Sequence, residues 1–588
     1  MRERWIVETK KGDFNGIAQE LNVSPLIARC MINRGLSDVD EMHTYLYGTL
    51  EDLHDPFLMK DMERAVRIVQ EARQNNVKIA IASDFDCDGI FSGYILLKGL
   101  SRVGFDCRIF TPDRVQEGYG LNERIVEEAL EEERMLLITC DNGIAALKQV
   151  AYAKEKGMTV IVTDHHEVQE EMPIADAVLD PKQEGETYPF CGLCGGGVAF
   201  KFICALYERL EIPEKEKWEL LEYVAIATVA DVMGLQGENR LLVKYGLQAL
   251  KKTKNIGLQS LMEVQGLGDR DLNAGHIGFV LGPCFNAAGR IANVEKSFDL
   301  LREEEEERAK RKAEELKDIN EERKQMTEEG AREAFRMLEE REKEEKLPAV
   351  LIVLLPDTHE SLVGIIAGRL KEKYNHPVIV FTRVEDGRIK GSGRSIESYH
   401  MFQKLMECHD LMERFGGHKM AAGMTLKEEN LSELERRLNA KAGLEEKDFY
   451  KEIRIDAPMP IGYATEKLLS EFEKMEPFGV GNPKPVFAEQ HFRIHKGQRL
   501  GKEQNVLKLR VENKQGNQCD ALYFGHIEEF EKFVIKEWGQ GELKRMYEGK
   551  ENDLDIAFTY FPVVNEFRGI RTIQIQISSF CRVNGGKK

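Results

Sequence analysis

Residues 77–89 read VKIAIASDFDCDG: a short apolar run that breaks into three aspartates, Asp84, Asp86 and Asp88, and a glycine. A run of this length, rich in isoleucine and bounded by turn-forming residues, predicts a buried strand. The pattern recurs downstream as CRIFT (107–111), MLLITC (135–140), TVIVT (159–163) and a short run at 177–179. Helix-like segments at 90–103, 123–133 and 144–156 separate these runs. Strand alternating with helix predicts an α/β domain with a parallel sheet covered on both faces. In such sheets ligands bind outside the carboxyl ends of the strands.

Each run ends on polar chemistry at that edge. LLITC is followed by Asp141-Asn142-Gly143, VIVT by Asp164-His165-His166, and the helix-like EYVAIATVA by Asp231-Val232-Met233-Gly234. One aspartate after a strand is usually a helix cap. Four acidic groups at successive element ends can instead converge, and carboxylates that close repel unless cations sit among them. Carboxylate with imidazole suits Mn²⁺, Mg²⁺ or Zn²⁺. Four carboxylates and a histidine suffice for two ions ~3.5–4 Å apart with one carboxylate bridging. A calcium loop is excluded for the first cluster, because Ile-Phe-Ser-Gly-Tyr-Ile-Leu follows where a bidentate glutamate is needed.

Working outward, residues 1–75 read as a helical, polar segment. Helices are expected at 200–210 and 218–230. The stretch 302–346 is charge-rich and free of proline, with thin, irregular apolar positions, and predicts a solvated connecting helix. A second α/β pattern follows, with strands at 349–355, 378–382 and 388–392 and helices near 364–374 and 431–440. Short alternating segments at 492–496, 506–511, 519–523, 555–560 and 572–577 predict a small β-barrel of the oligonucleotide-binding type.

At 588 residues the chain exceeds one core, and 42% hydrophobic with 31% charged residues is an ordinary soluble composition. No stretch reaches the roughly 18 apolar residues of a membrane span, and the first residues lack the apolar core of a signal peptide. The expected location is cytoplasmic. A net charge of −19 excludes a nonspecific polybasic coat, though not a local basic groove. Eleven cysteines are too sparse for a disulfide scaffold. Cys191 and Cys194 form a CxxC without a second pair, so PFCGLCGGG reads as a glycine-rich loop rather than a zinc site.

The ordered motifs ASDFDCDGI, ITCDNGI, VTDHH and ATVADVMGL resemble the four motifs of the DHH phosphoesterase superfamily. Together with FTPDRVQEGYGLN, FNAAGRIANVEKS, GSGRSI, RFGGHKMAAGMT and MEPFGVGNPKPVF they resemble the RecJ-type exonucleases within it, over nearly the whole chain. The resemblance implies an N-terminal helical segment (1–75), a DHH catalytic domain (76–300), a connecting helix (301–346), a DHH-associated domain (347–445) and an oligonucleotide-binding domain (446–588). It implies 5′-to-3′ hydrolysis of single-stranded DNA with Mn²⁺ or Mg²⁺, in repair and recombination. Helicase and single-strand-binding protein are the implied partners. Asp86, Asp88, Asp141, His165 and Asp231 are the implied metal ligands, with Asp141 bridging. Asp84 and Asp164 would orient them, and His166 would contact the scissile phosphate or protonate the leaving oxygen. Many relatives carry a histidine where this chain has Ala82, which bears on the affinity of the first metal.

Hydrolysis also needs cationic donors for the nonbridging oxygens. Arg290, Arg394 and His418 are the candidates, with Ser392 offering a hydroxyl. Arg114, Tyr119 and Asn122 lie on the loop after the second strand, where arginine can hold backbone and tyrosine can stack on a base. In the C-terminal segment Lys496, Arg499, Lys502, Lys508 and Arg510 form a basic stretch able to track a strand.

Overall fold

The computed structural model describes residues 3–114 and 116–583. Its contacts divide the chain into two units, 54–233 with 242–451, and 5–53 with 234–241 and 452–588. Among the described residues no helix is long and apolar enough to cross a membrane.

The first unit opens with the expected α/β domain. Strands β1 (Ile79–Ser83), β2 (Cys107–Phe110), β3 (Leu136–Cys140), β4 (Thr159–Thr163) and β5 (Ala177–Leu179) form one parallel sheet in the order β2-β1-β3-β4-β5. Helices α1 (Cys87–Arg102), α2 (Glu123–Glu131) and α3 (Leu147–Glu155) cross between the strands. The register aligns the strand ends. Ser83 pairs with Cys140, Cys140 with Thr163, and Thr163 with Leu179. The next residue of each strand is an aspartate, so Asp84, Asp141, Asp164 and Asp180 stand in a row along the carboxyl edge.

Helices α4 (Gly195–Arg209), α5 (Leu221–Ala230) and α6 (Gly282–Ile291) complete this domain around the edge. Helix α4 starts before the expected 200, because its first turn is the glycine run of the CxxC loop, capped by Cys194, whose Sγ accepts from Gly197 N at 3.4 Å.

The connecting segment is helix α7 (Glu306–Glu344), and the expectation that it is merely solvated is corrected. Ala309, Ala313, Leu316, Asn320, Thr327, Ala331, Ala334 and Leu338 are buried at three-, four- and, once, seven-residue spacing, all on one helical face. This seam packs on helix Ile256–Val264, on α6 and on the helix that follows the next strand. Small residues let the helices approach closely. Leu316→Ala should cost about 2–5 kcal/mol, read as a lower urea midpoint. Glu314→Ala on the exposed face should stay within about 0.5 kcal/mol.

Strands β6 (Leu351–Leu354), β7 (Val378–Arg383), β8 (Arg388–Arg394), β9 (Arg414–Gly417) and β10 (Ala421–Lys427) build a second sheet, with helix α8 (Val363–Tyr374) after β6. Its order is β9-β10-β8-β7-β6, parallel only between β6 and β7. The GSGR motif lies within β8, where Lys390, Ser392 and Arg394 share the half-exposed face.

The second unit holds a five-stranded barrel. Strands β11 (Phe487–Leu500), β12 (Val506–Asn513), β13 (Gln518–Tyr523), β14 (Asp555–Phe567) and β15 (Ile570–Arg582) run in the order β11-β12-β13-β15-β14, and β14 pairs back with β11 to close it. Residues from the N-terminal helices, including Ile27, Met31, Met42 and Leu46, belong to the same core as Phe487, Phe492 and Tyr560. Two helices, Ile527–Trp538 and Gln540–Glu548, intervene between β13 and β14, where sequence periodicity suggests only strands and turns.

Candidate metal centre

The acidic run after β1 is not a loop. Asp86 caps α1, its Oδ1 accepting from Gly89 N at 3.1 Å, so Asp88 falls in the first helical turn. Asp88 is 1% exposed, and its carboxylate accepts from Gly195 N at 2.7 Å and Gly196 N at 2.8 Å. Two backbone donors at the start of α4 thus hold a buried charge. Only glycine permits this approach, since a Cβ on Gly195 would lie 2.6 Å from Asp141 Cβ and one on Gly196 2.6 Å from Ala227 Cβ. Sequence reasoning finds the glycine run but misses this use, because backbone N–H groups leave no side-chain signature.

Asp141 begins its loop in left-handed backbone (φ 59°) and points its carboxyl at His165. His165 Nε2 lies 3.1 Å from Asp141 Oδ1, 3.6 Å from Asp88 Oδ2 and 3.6 Å from Asp231 Oδ2. Three donor sets overlap here, each with its atoms within 4.8 Å: Asp84, Asp86 and Asp141; Asp88, His165 and Asp231; Asp141, His165 and His166. Asp141 belongs to two of them. Asp84, expected only to orient neighbours, therefore lies within ligand range of the group. Its Oδ2 is buried without a hydrogen-bond partner.

The electrostatics point one way. Burial, then Asp88, pushes the Asp141 carboxyl far above the carboxylate range. Burial and Asp88 push Asp231 up to about 8. Burial and Asp86 raise Asp84. Burial also lowers His165, against the pull of Asp88. A neutral imidazole nitrogen can satisfy at most one of the three carboxylate oxygens that surround it. A divalent cation among these donors removes the conflict at once, so the residues fit such an ion chemically.

Asp164 is hydrogen-bonded to both histidines that follow it. Its Oδ1 accepts from His165 N (2.7 Å), His166 N (3.2 Å) and His166 Nδ1 (2.7 Å), and its Oδ2 from Ile144 N (2.9 Å). Burial raises its carboxyl, but the His166 bond and charge outweigh this and hold it below the usual range. Tyr119 Oη donates to Asp141 O at 2.6 Å and meets His166 Nε2 at 3.3 Å. With the phenol proton committed, Nε2 must donate to the phenol oxygen, so both His166 nitrogens carry protons. Burial works against that charge, but the bond to Asp164 wins and lifts His166 to about 9. The sign is that of a raised base: from an unfolded value near 6.5, its stabilising contribution is full below about 6.5 and lost as pH climbs through about 9. In metal-free protein the His166 ring ¹⁵N signals should titrate near 9, and Asp164→Asn should move the midpoint down by at least one pH unit.

Asp180, at the end of the row, escapes sequence reasoning. It is buried, its Oδ1 accepts from Lys182 N at 2.8 Å, and its Oδ2 has no partner. Burial lifts it to about 7. A lone aspartate before proline reads as a turn, and only the strand register reveals its place.

Arg114 and Arg290 lie within electrostatic range of Asp86, and Arg394 lies near enough to Arg290 to lower it. Arg114 stacks 4.6 Å over the Phe85 ring. Arg290, on α6, donates to Ser361 O in the turn before α8 at 2.9 Å. Arg394 donates to Ser392 Oγ at 3.0 Å and Gly393 O at 2.8 Å. Among the described residues none of the three pairs with a carboxylate. Burial, then the charge of Arg114, lowers Arg290 to about 10. Gly364, in the first turn of α8, leaves the space beside Ser392 and Arg394 open, since a Cβ there would meet Ser392 Oγ at 2.9 Å and Arg394 Nη2 at 3.0 Å. Unpaired guanidiniums, a hydroxyl and a helix amino end form an anion cradle. His418 is exposed in the turn between β9 and β10, three residues before Ala421, the cross-strand partner of Arg394.

Other residues expected to contact the strand are bonded within the chain. Asn122 is consumed locally, its Oδ1 capping α2 at Ile125 N (3.0 Å) and its Nδ2 bonded to Glu117 (3.0 Å). In the barrel, Arg499 is held by Glu531 at 2.8 Å, and Lys508 and Arg510 by Asp520 at 2.8 and 3.2 Å. One acid on the neighbouring strand and one on the following helix thus hold three of the five basic side chains. Lys496 remains exposed.

Three family models match in order: the DHH family N-terminal domain over 78–228, the DHHA1 domain over 348–443 and the RecJ OB domain over 455–579. The single-stranded-DNA-specific exonuclease RecJ of Bacillus subtilis is 35% identical over 532 residues, covering 90% of this chain and 66% of that protein. The protein of the same name from Haemophilus influenzae is 32% identical over 581 residues, covering 95% of this chain and 97% of its own length. Among solved structures, RecJ from Thermus thermophilus in complex with Mn²⁺ superposes with a TM-score of 0.80 at 27% identity, covering 99% of this chain and 80% of that one. The Mg²⁺ complex from the same organism gives 0.74 at 26% identity, with coverage of 98% and 78%.

Proposed function

Because this chain belongs to the RecJ family, we propose that it is a metal-dependent exonuclease specific for single-stranded DNA, removing nucleotides from the 5′ end. The observation that carries this reading is His165 Nε2, a neutral nitrogen within 3.6 Å of carboxylate oxygens from Asp88, Asp141 and Asp231. Asp86, Asp88, Asp141, His165 and Asp231 would hold a pair of Mn²⁺ or Mg²⁺ ions, with Asp84 in reach. When bound, such ions activate the attacking water and neutralise phosphate charge.

The chain's own groups do the rest. Gly195 and Gly196 N–H fix Asp88, and Asp164 fixes both histidines, so the donors are set before substrate arrives. Arg290, Arg394 and Ser392 bind nonbridging phosphate oxygens, and Arg114 extends that cradle. His166 carries a proton on Nε2, the atom that rests on the Tyr119 hydroxyl, and can deliver it to the leaving oxygen. We assign 76–300 as the catalytic domain, 301–346 as the connector, 347–445 as the DHH-associated domain and 446–588 as the oligonucleotide-binding domain, after the helical segment 1–75. The activity suits a cytoplasmic repair and recombination enzyme that works beside a helicase and a single-strand-binding protein.

The test is digestion of single strands labelled at either end, with Mn²⁺ or Mg²⁺ supplied in turn. Early release of a 5′ label as a mononucleotide supports the reading. Early release of the 3′ label would reverse the polarity, and no metal-dependent release from either end would remove the activity.

A further inference from the structure

Helices α1 and α5 carry metal-centre residues at one end, and a cavity of about 450 Å³ opens at the other. Helix α1 holds Asp88 in its first turn and Tyr94 and Lys98 farther along. Helix α5 begins with Glu222 and Tyr223 and ends where Asp231 follows. The two helices pack through their rings, with Tyr223 5.0 Å from Tyr94 and 6.2 Å from Phe91. Tyr94 lies six residues from Asp88 and Tyr223 eight from Asp231, about 9 and 12 Å at about 1.5 Å per residue. The cavity is therefore separate from the metal centre.

Its floor is buried and polar. Glu222 is 5% exposed, and its Oε1 accepts from Thr253 Oγ1 at 2.8 Å. Tyr94 Oη donates to Leu301 O at 2.7 Å, and Asn255 Nδ2 donates to Leu301 O at 2.8 Å and to Tyr94 Oη at 3.1 Å. Half-buried Trp218 supplies an aromatic wall. The mouth is basic. Lys98, Lys215 and Lys252 are exposed there and make no ion pair among the described residues. Most other charges at the mouth are paired: Lys254 with Glu219 at 3.3 Å, Arg302 with Glu295 at 2.8 Å and Glu303 with Lys312 at 2.6 Å. Glu304 alone opposes the three lysines. A chain of net charge −19 thus keeps three unpaired ammonium groups around one cavity, a local field that attracts anions. The Glu222 carboxyl at the floor repels an anion and accepts from N–H groups. An occupant therefore turns its negative end outward and an N–H donor inward.

We propose that this cavity binds a free nucleoside 5′-monophosphate, with the base against Trp218, an exocyclic amine donating to Glu222, and the phosphate among Lys98, Lys215 and Lys252. The volume lies within the ~300–1,000 Å³ of small-molecule sites. The aromatic wall suits a flat ring, the carboxyl suits a base amine, and the lysines suit a phosphate. The choice of a nucleotide among flat anions rests on the exonuclease reading, since hydrolysis of a strand from its end releases that molecule.

The experiment is calorimetric titration of metal-free protein with deoxyadenosine 5′-monophosphate, in wild type and in Arg394→Ala, which weakens the separate phosphate cradle. A saturable site should persist in Arg394→Ala. Substituting Lys98→Ala and Lys252→Ala together should weaken it about 10-fold or more, through lost charge-assisted bonds. Both lysines are exposed, so the fold should stand, which an unchanged melting temperature checks. Thymidine 5′-monophosphate, which has no exocyclic amine, should bind less tightly, and Glu222→Gln should narrow that preference. Inorganic phosphate and deoxyadenosine, each carrying half of the recognised chemistry, should each bind more weakly than the nucleotide. No binding to Arg394→Ala at millimolar nucleotide would overturn the proposal, as would an affinity that ignores the two lysine substitutions. Strand digestion is measured beside it. An inactive wild type that binds the nucleotide in this way removes the exonuclease reading and keeps the site, whereas an active wild type without such binding removes only the site.

Discussion

Asp141→Ala is expected to lower kcat on single-stranded DNA by about 10³-fold or more, since several kcal/mol of charge stabilisation leave with a shared ligand. Strand binding should persist, because the arginine cradle and the barrel do not depend on this carboxylate. The same variant has a second, opposite signature. Without metal, Asp141 is a buried carboxyl crowded by Asp88 and Asp86, so its removal relieves repulsion. Metal-free Asp141→Ala should melt at or above the wild-type temperature. Mn²⁺ should raise the melting temperature of wild type, by ligand linkage, and do so far less for the variant. Loss of activity through misfolding would show the reverse, a lower melting temperature without metal.

Arg394→Ala should reduce kcat/KM by about 10²–10³-fold, the usual loss when one preorganised donor to a charged oxygen is removed. Arg394 lies on β8 with its guanidinium on Ser392 Oγ and beside the open space at Gly364, and it has no carboxylate partner among the described residues. Burial lowers its pKa, so the structure bears a cost that only an anion repays. Arg394→Lys should recover little, because a single ammonium cannot reproduce the planar fork. Metal affinity, measured calorimetrically, should be unaltered in both variants. A parallel loss of Mn²⁺ binding would mean that Arg394 supports the metal centre and not the phosphate.

The parts legible in the sequence are those governed by local periodicity. Apolar runs of about five residues ending in Asp84, Asp141 and Asp164 announce a parallel sheet and its reactive edge, and the strand register lines these residues up. The features that stayed hidden depend on partners distant in the chain. The hold of Gly195 and Gly196 on Asp88 uses backbone donors 107 and 108 residues away. The seam of α7 holds only two leucines, Leu316 and Leu338, among alanines, a threonine and an asparagine, so its spacing is masked by the surrounding charges. Arg499, Lys508 and Arg510 read as a basic track until the barrel register sets Asp520 opposite Arg510 and the following helix brings Glu531 to Arg499. Asn122 shows how local chemistry competes with a ligand role: a polar residue before a helix is commonly its cap, and here it accepts from Ile125 N.

The most direct measurement is an anomalous difference map from crystals of the protein equilibrated with Mn²⁺. Density is expected within about 2.0–2.4 Å of oxygen or nitrogen atoms of Asp86, Asp88, Asp141, His165 and Asp231, with Asp141 reaching the most. Manganese bound elsewhere while His165 stays wedged among three carboxylates, or no manganese at all at saturating concentration, would contradict it.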